Sequence, residues 1–160
     1  MVDFGLVRRF RSTKGQRLPR RSHAGFRGTL RYVSLRVHDR LEQGPADDLV
    51  ALFFCLVEMA SGELSWKYVQ DDNVVKAAKI GLINDDFAKV SINFGEDMRE
   101  FGRVVMNMPA DEDPNYRALQ KLMRDLAGGR PLKSPYDWED DYSELLAEAH
   151  LSPDYNKKSS

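Results

Sequence analysis

At 160 residues with 31% charged and 42% apolar side chains, the chain is long enough for a single globular core that removes about two thirds of its unfolded surface from water. No run approaches the roughly 20 apolar residues needed to cross a bilayer, and the opening MVDFGLVRRF places an acid and arginines where a secretory leader would be apolar, so no membrane partner is expected. The net charge of −1 hides a division: residues 1–40 hold eleven Arg or Lys against two acids, residues 41–160 thirteen against twenty-three.

That basic N-terminal part would attract an anionic partner, or it would lie against the acidic remainder of its own chain. The single cysteine, Cys55, cannot form an internal disulfide and sits in an apolar run, which suits a buried thiol in an intracellular protein of cytoplasm or nucleus. His23, His38 and His150 show no zinc-ligand spacing with it.

In chain order, residues 7–28 are basic and broken by Gly and Pro, which predicts an extended loop. TLRYVSLRV, residues 29–37, alternates imperfectly and fits either a poor strand or an irregular packed loop. DDLVALFFCLVEMASGE, residues 47–63, predicts a helix over 47–61, capped by Asp47 or Asp48 and closed by Gly62. Apolar side chains all around that cylinder predict burial on nearly every side.

Short helices are then expected within 73–82 and around 85–91. Met98, Phe101, Val105 and Met108 recur at three- and four-residue steps and predict an amphipathic helix over 96–108. Asp113 before Pro114 starts a helix carrying Tyr116, Leu119, Leu122, Met123 and Leu126, which Gly128-Gly129 ends. A last acidic helix is expected from Asp137 or Trp138 to Ala149, and residues 150–160 form a flexible tail. The expectation is a mainly α chain without repeats and almost without strand.

Three motifs in this order, DFGLVRRF at residues 3–10, GFRGTLRYVSLRVH at 25–38 and DDLVALFFCLVEMASGELSWK at 47–67, together resemble the later part of a eukaryotic protein kinase domain. The resemblance is to the casein kinase 1 superfamily and, within it, the tau-tubulin kinase-like branch; PNYRALQKL and YDWED extend it to about residue 141. It implies a partial large lobe over 1–149, made of an activation-segment loop over 3–40, a central helix over 47–61 and later helices over 73–149, without the small lobe or the catalytic loop. Val50 and Ser65 depart from the family pattern, standing where relatives often carry Trp and Pro.

Residue by residue, the resemblance implies that Asp3 matches the aspartate that holds magnesium against ATP phosphates, with Phe4 and Gly5 packing and positioning it. Thr29 matches the threonine that helps place the catalytic aspartate and the substrate hydroxyl, and Asp48 the central-helix aspartate that braces the catalytic loop. Arg31, with Lys79 near a second basic position, matches a site for the phosphate of a primed substrate.

Phosphoryl transfer depends on positioning and charge neutralisation by a Gly-rich loop, a phosphate-pairing lysine and its glutamate, a catalytic aspartate, a metal-binding asparagine and the DFG aspartate. Residues 1–160 contain only the last, with no GxGxxG, VAIK-like or HRD-like text. One carboxylate does not make a magnesium–nucleotide site, because that ion needs several oxygens in near-octahedral array. The sequence therefore reads as a truncated kinase or pseudokinase, a catalytically incomplete relative of a serine/threonine kinase that uses ATP and magnesium, with no cofactor expected for this stretch alone.

Two partner readings accompany it. A helix whose covering elements are missing would expose an apolar groove along 49–59 for a partner protein. Alternatively, the arginines at 8, 9, 17, 20, 21, 27 and 31 would make a phosphate-recognising interaction module. Nucleic acid is disfavoured, since no recognition helix or aromatic stacking platform accompanies the basic arm.

Overall fold

The computed structural model describes residues 5–131 of the chain. Asp3 and Phe4, the helix expected over 137–149 and the tail over 150–160 lie outside the described residues. The chain divides into a first unit, Met1–Leu126, and a second, Ala127–Ser160. Of the second, the described part is a turn in which Gly128 and Gly129 take φ of 60° and 72° and the Arg130 amide donates to the Ala127 carbonyl at 3.1 Å. Those positive angles suit glycine and fit the helix stop read from the sequence.

The first unit holds six helices among the described residues: α1 (Leu35–His38), α2 (Pro45–Ser61), α3 (Asp72–Asn84), α4 (Ala88–Phe94), α5 (Glu96–Met106) and α6 (Tyr116–Leu126). The described residues contain no β-strand; the arm before α1 has one isolated antiparallel bridge, Arg11 with Arg17. The mainly α reading is met, and residues 29–37 resolve into a turn followed by the single turn of α1, which the sequence pattern had not separated.

α2 organises the rest. It starts two residues earlier than expected because Pro45 occupies its first turn, where a missing N–H costs nothing. Asp47 is consequently at the third helical position, and its carboxylate reaches back to accept the Gly44 amide at 2.7 Å. At the other end Gly62 closes the helix in the left-handed conformation, φ 82°.

One face of α2, formed by Val50, Phe53, Phe54 and Val57, is buried. Phe53 is fully enclosed among Phe87, Phe101 and Phe54, with ring centroids 5.7, 6.3 and 5.5 Å away. Phe54 meets the Trp66 ring edge-on at 5.4 Å. α5 fits against this face through Met98, Phe101, Gly102 and Val105, one stripe at helical spacing. α6 adds Leu119 to the same core.

The opposite face corrects the expectation of burial all round. Leu52 is 43% and Met59 81% exposed, and Cys55, read from the sequence as buried packing, is only partly covered. Asp48, Leu52, Cys55 and Met59 follow one another at four- and three-residue steps, so they form one continuous outer stripe.

The other helices shift for local reasons. α3 is longer than expected, because the Asp71 side chain accepts the amides of Asn73 and Val74 and opens the helix there. α4 begins after Asp86 and Phe87, whose φ of 50° and 56° break the helical path. A phenylalanine in that region is strained, and the burial of Phe87 against Phe53 holds it there. α6 is capped by Asn115, whose side chain accepts the Ala118 amide at 3.1 Å, rather than by Asp113.

At Gly102 α5 lies directly against α2: a Cβ built there would lie 2.8 Å from Phe53 Cζ and 3.2 Å from Phe87 Cδ1. Gly102→Ala should therefore lower the urea midpoint of the purified chain by the equivalent of roughly 1–3 kcal/mol of overpacking, without changing the slope of the transition. A stabilised variant would show that α5 does not seat on Phe53 as described.

Candidate functional site

The segment from Gly28 to His38 lies between α2 and α3, and its shape is set by three kinds of contact. Gly28 takes φ 106°, with a hypothetical Cβ only 2.9 Å from Val33 Cγ1, so a side chain there would be both strained and crowded. The Thr29 carbonyl accepts the Tyr32 and Val33 amides at 2.9 and 3.1 Å, closing the turn. Ser34 then caps α1 and donates its hydroxyl to buried Asp47 at 2.5 Å, which ties the end of the turn to the start of α2.

Thr29 and Asp48 meet on one open cavity of about 570 Å³, whose walls include Tyr32, Leu49 and Cys55. Thr29 is exposed, and its hydroxyl has no hydrogen-bond partner among the described residues. The Asp48 side chain likewise makes no ion pair or hydrogen bond among the described residues. Its surroundings and neighbouring Asp47 push its pKa upward. The Cys55 thiol is also pushed up, first by burial and then by Glu58, which disfavours the reactive thiolate. Of the triplet at 3–5 only Gly5 is among the described residues; it lines a smaller opening with Leu6, Val7, Arg8, Arg21 and Arg27.

Arg31 does not stand free. Its guanidinium donates to Glu58 Oε1 at 2.8 Å and to the Lys67 carbonyl at 3.0 Å, while the Tyr32 hydroxyl donates to Glu58 Oε2 at 2.5 Å. The Trp66 indole N–H donates to the Arg31 carbonyl at 2.9 Å. Lys79 is fully buried, and its ammonium donates to the carbonyls of Leu30 and Val33 at 2.9 and 2.6 Å. Arg31 and Lys79 thus hold the same short segment from opposite sides, Arg31 at its rim and Lys79 from beneath.

The basic arm folds largely onto the chain's own acids. Arg8 and Arg21 share Glu42, with contacts of 2.9 and 2.5 Å, and Arg11 and Arg17 share Asp113. Arg40 pairs with Asp72 at 2.9 Å. The guanidinium groups of Arg9, Arg20 and Arg27 have no ion-pair partner among the described residues. Glu42, Glu58 and Asp113 could not be found as partners by sequence reasoning, since they stand 21, 27 and 96 residues from Arg21, Arg31 and Arg17. Charge asymmetry between the two parts of the chain was the only available signal.

Hydrogen bonds from Arg21, then the charges of Arg21 and Arg8, hold the Glu42 carboxyl down to about 2. A carboxylate lowered from its ordinary value near 4.5 contributes its full stabilisation above that value and loses it as pH falls toward 2. Glu42→Gln should remove this hold at neutral pH, so trypsin should cleave at Arg8, Arg9, Arg20 and Arg21 several-fold faster than in the unaltered chain. Acidifying the unaltered chain from pH 5 to pH 3 should weaken the arm's hydrogen-exchange protection in the same direction; equal cleavage and no pH response would show that Glu42 does not anchor the arm.

No family model matches the chain. It is 37% identical over 154 residues to the Caenorhabditis elegans protein named "Putative casein kinase I", an alignment covering 91% of this chain and 43% of that protein. It is 33% identical over 141 residues to a probable serine/threonine-protein kinase of Dictyostelium discoideum, covering 87% of this chain and 28% of the relative. Casein kinase I homolog 3 of Saccharomyces cerevisiae is 31% identical over 148 residues, again with 88% of this chain and 28% of the relative covered. The chain spans less than half the length of these relatives. It is homologous, over that partial length, to serine/threonine kinases of the casein kinase I type.

Proposed function

We propose that residues 1–160 are the later large-lobe portion of a serine/threonine kinase in the tau-tubulin kinase-like branch, and that this stretch alone does not transfer phosphate. One observation carries the reading: Thr29 and Asp48, two polar side chains without partners among the described residues, converge on a cavity beside the uncovered outer stripe of α2. An exposed carboxylate at the head of an apolar stripe is a poor way to end a fold and a good way to receive a neighbouring element. Asp48 can accept backbone amides from a catalytic loop, while Leu52, Cys55 and Met59 bury a helix packed against it.

On this proposal Asp3, positioned by Phe4 and Gly5, contributes one of several magnesium oxygens, and ATP enters only when the remaining phosphate-binding groups are supplied. The partner covering residues 49–59 is the rest of a kinase domain, and the substrate is a protein. For the phosphate of a primed substrate, Arg31 would exchange its single contact to Glu58 for a forked ion pair with the incoming phosphate. Lys79 would act indirectly, by holding the turn that presents Arg31, because its own ammonium is enclosed.

Purified 1–160 should transfer no labelled phosphate from ATP and magnesium to protein above background. Fusing the part of the Caenorhabditis elegans relative that precedes its stretch aligned with this chain should cover α2, raise the thermal midpoint and permit nucleotide binding. Asp48→Asn in the fusion should lower that midpoint without the same effect in 1–160. Phosphate transfer by 1–160 that disappears in Asp3→Ala would overturn the proposal.

A further inference from the structure

Beneath the Leu30–Val33 turn, Lys79 on α3 and His38 at the end of α1 meet with Nζ and Nε2 3.2 Å apart, both buried. The hydrogen-bond chain fixes where the protons are. His38 Nδ1 bonds to Asp72, whose carboxylate only accepts and is also bound by Arg40 at 2.9 Å. Nδ1 must therefore carry a proton, which leaves Nε2 of the neutral ring as an acceptor. The Lys79 ammonium supplies that bond with its third N–H, the other two going to the Leu30 and Val33 carbonyls at 2.9 and 2.6 Å. The Phe54 and Trp66 rings, 5.1 and 5.9 Å from Nζ, add two faces that attract a cation.

This arrangement accommodates one proton between Nζ and Nε2. Placing it on either atom gives one donor and one acceptor, whereas adding a second sets N–H against N–H at 3.2 Å in a site closed to water. We propose that Lys79 and His38 are positioning residues that hold the Leu30–Val33 turn closed with at most one proton between Nζ and Nε2, and that acidification releases the turn by forcing a second proton onto the pair. The pair itself stands on contacts within this chain; that the released turn presents Thr29 and Arg31 to substrate rests on the kinase reading above.

The charges around the pair support the direction. Burial pushes Lys79 down to about 7, with Asp72 opposing. Burial also lowers His38, with Asp72 opposing and Lys79 and Lys76 adding to the fall. Lys76 is paired with Asp39 at 2.5 Å, and on the α2 side Glu58 is occupied by Arg31 and Tyr32, so the carboxylate that reaches the pair is Asp72. Both cations are depressed when the turn is closed, so the open turn binds more protons. The cost of closure is absent above about pH 10, where even free lysine is neutral; it grows as pH falls to 7 through Lys79 and grows again below about 6.5 through His38.

The test is amide hydrogen exchange of Tyr32, Val33, Val37 and His38 in the full 1–160 chain at pH 8 and pH 5.5, corrected for intrinsic exchange, together with nitrogen NMR of the His38 ring. Protection should fall at least about tenfold on acidification, one proton being worth a factor of ten per pH unit. His38→Gln should reduce that fall, and Lys79→Met/His38→Gln should abolish it. In the unaltered chain His38 should remain neutral with its proton on Nδ1 at pH 6.5. Unchanged protection, an equal fall in the double variant, or a His38 ring that titrates at its ordinary midpoint near 6.5 would each overturn the proposal. The ring measurement decides even where the double variant does not fold, and none of these readouts uses nucleotide or substrate, so they stand apart from the kinase reading.

Discussion

The packing of Phe53 and Phe54 is the constraint on which the rest of the first unit depends. Adjacent residues on a helix point about 100° apart, so this pair lets α2 grip two neighbours at once. Phe53 enters the gap that Gly102 leaves in α5, and Phe54 turns toward Trp66 and the stem of the site. A buried aromatic of this kind is worth roughly 3–5 kcal/mol against alanine, a large part of what holds a domain of this size together. Every element that shapes the site is referenced to this grip, since Trp66 bonds the Arg31 carbonyl and Lys79 lies against the Phe54 ring.

The same helix has two unlike faces, and that asymmetry joins fold to function. Its inner stripe is saturated with aromatic contacts, whereas its outer stripe of Asp48, Leu52, Cys55 and Met59 offers a carboxylate and apolar groups to whatever lies beyond. An all-round apolar helix normally signals enclosure. Here half the enclosure is present among the described residues, and on the proposed kinase reading the second side is prepared for contact with the rest of a kinase domain.

The order of α2 to α6 and the stops of α2 and α6 were legible in the sequence, because Gly62 and Gly128-Gly129 act locally, whereas α3 and α4 run two and three residues beyond the expected ends and α5 stops two residues short. Starts were less legible. Asp47 and Asp48 both look like caps, but Pro45 takes the first turn and moves Asp47 to the third position; Asp71 and Asn115 cap through side chains that compete with equally plausible neighbours. The positive φ of Asp86 and Phe87 could not be read at all, because it is imposed by Phe87 packing on Phe53 from another helix.

Within the site, the motif text identified Thr29, Arg31, Asp48 and Lys79, but residue type alone did not say which of them are satisfied. Lys79 is occupied by two carbonyls and a histidine, Arg31 by Glu58, and His38, which had no partner in sequence, is joined to both Lys79 and Asp72. These pairings span 27 to 49 residues and depend on how α1 and α3 are laid beside the turn. Long-range ion pairs of this kind leave no periodic trace in a sequence, only an imbalance of charge that they later cancel.

The most direct measurement of the account is amide hydrogen exchange along α2 in purified 1–160. Slow exchange around Phe53, Phe54 and Val57 is expected, because the inner grip forms without any added element, and addition of the preceding kinase segment should slow the helix further. Rapid exchange throughout residues 49–59 would contradict the claim that this stretch folds around its aromatic pair and waits only for its outer face to be covered.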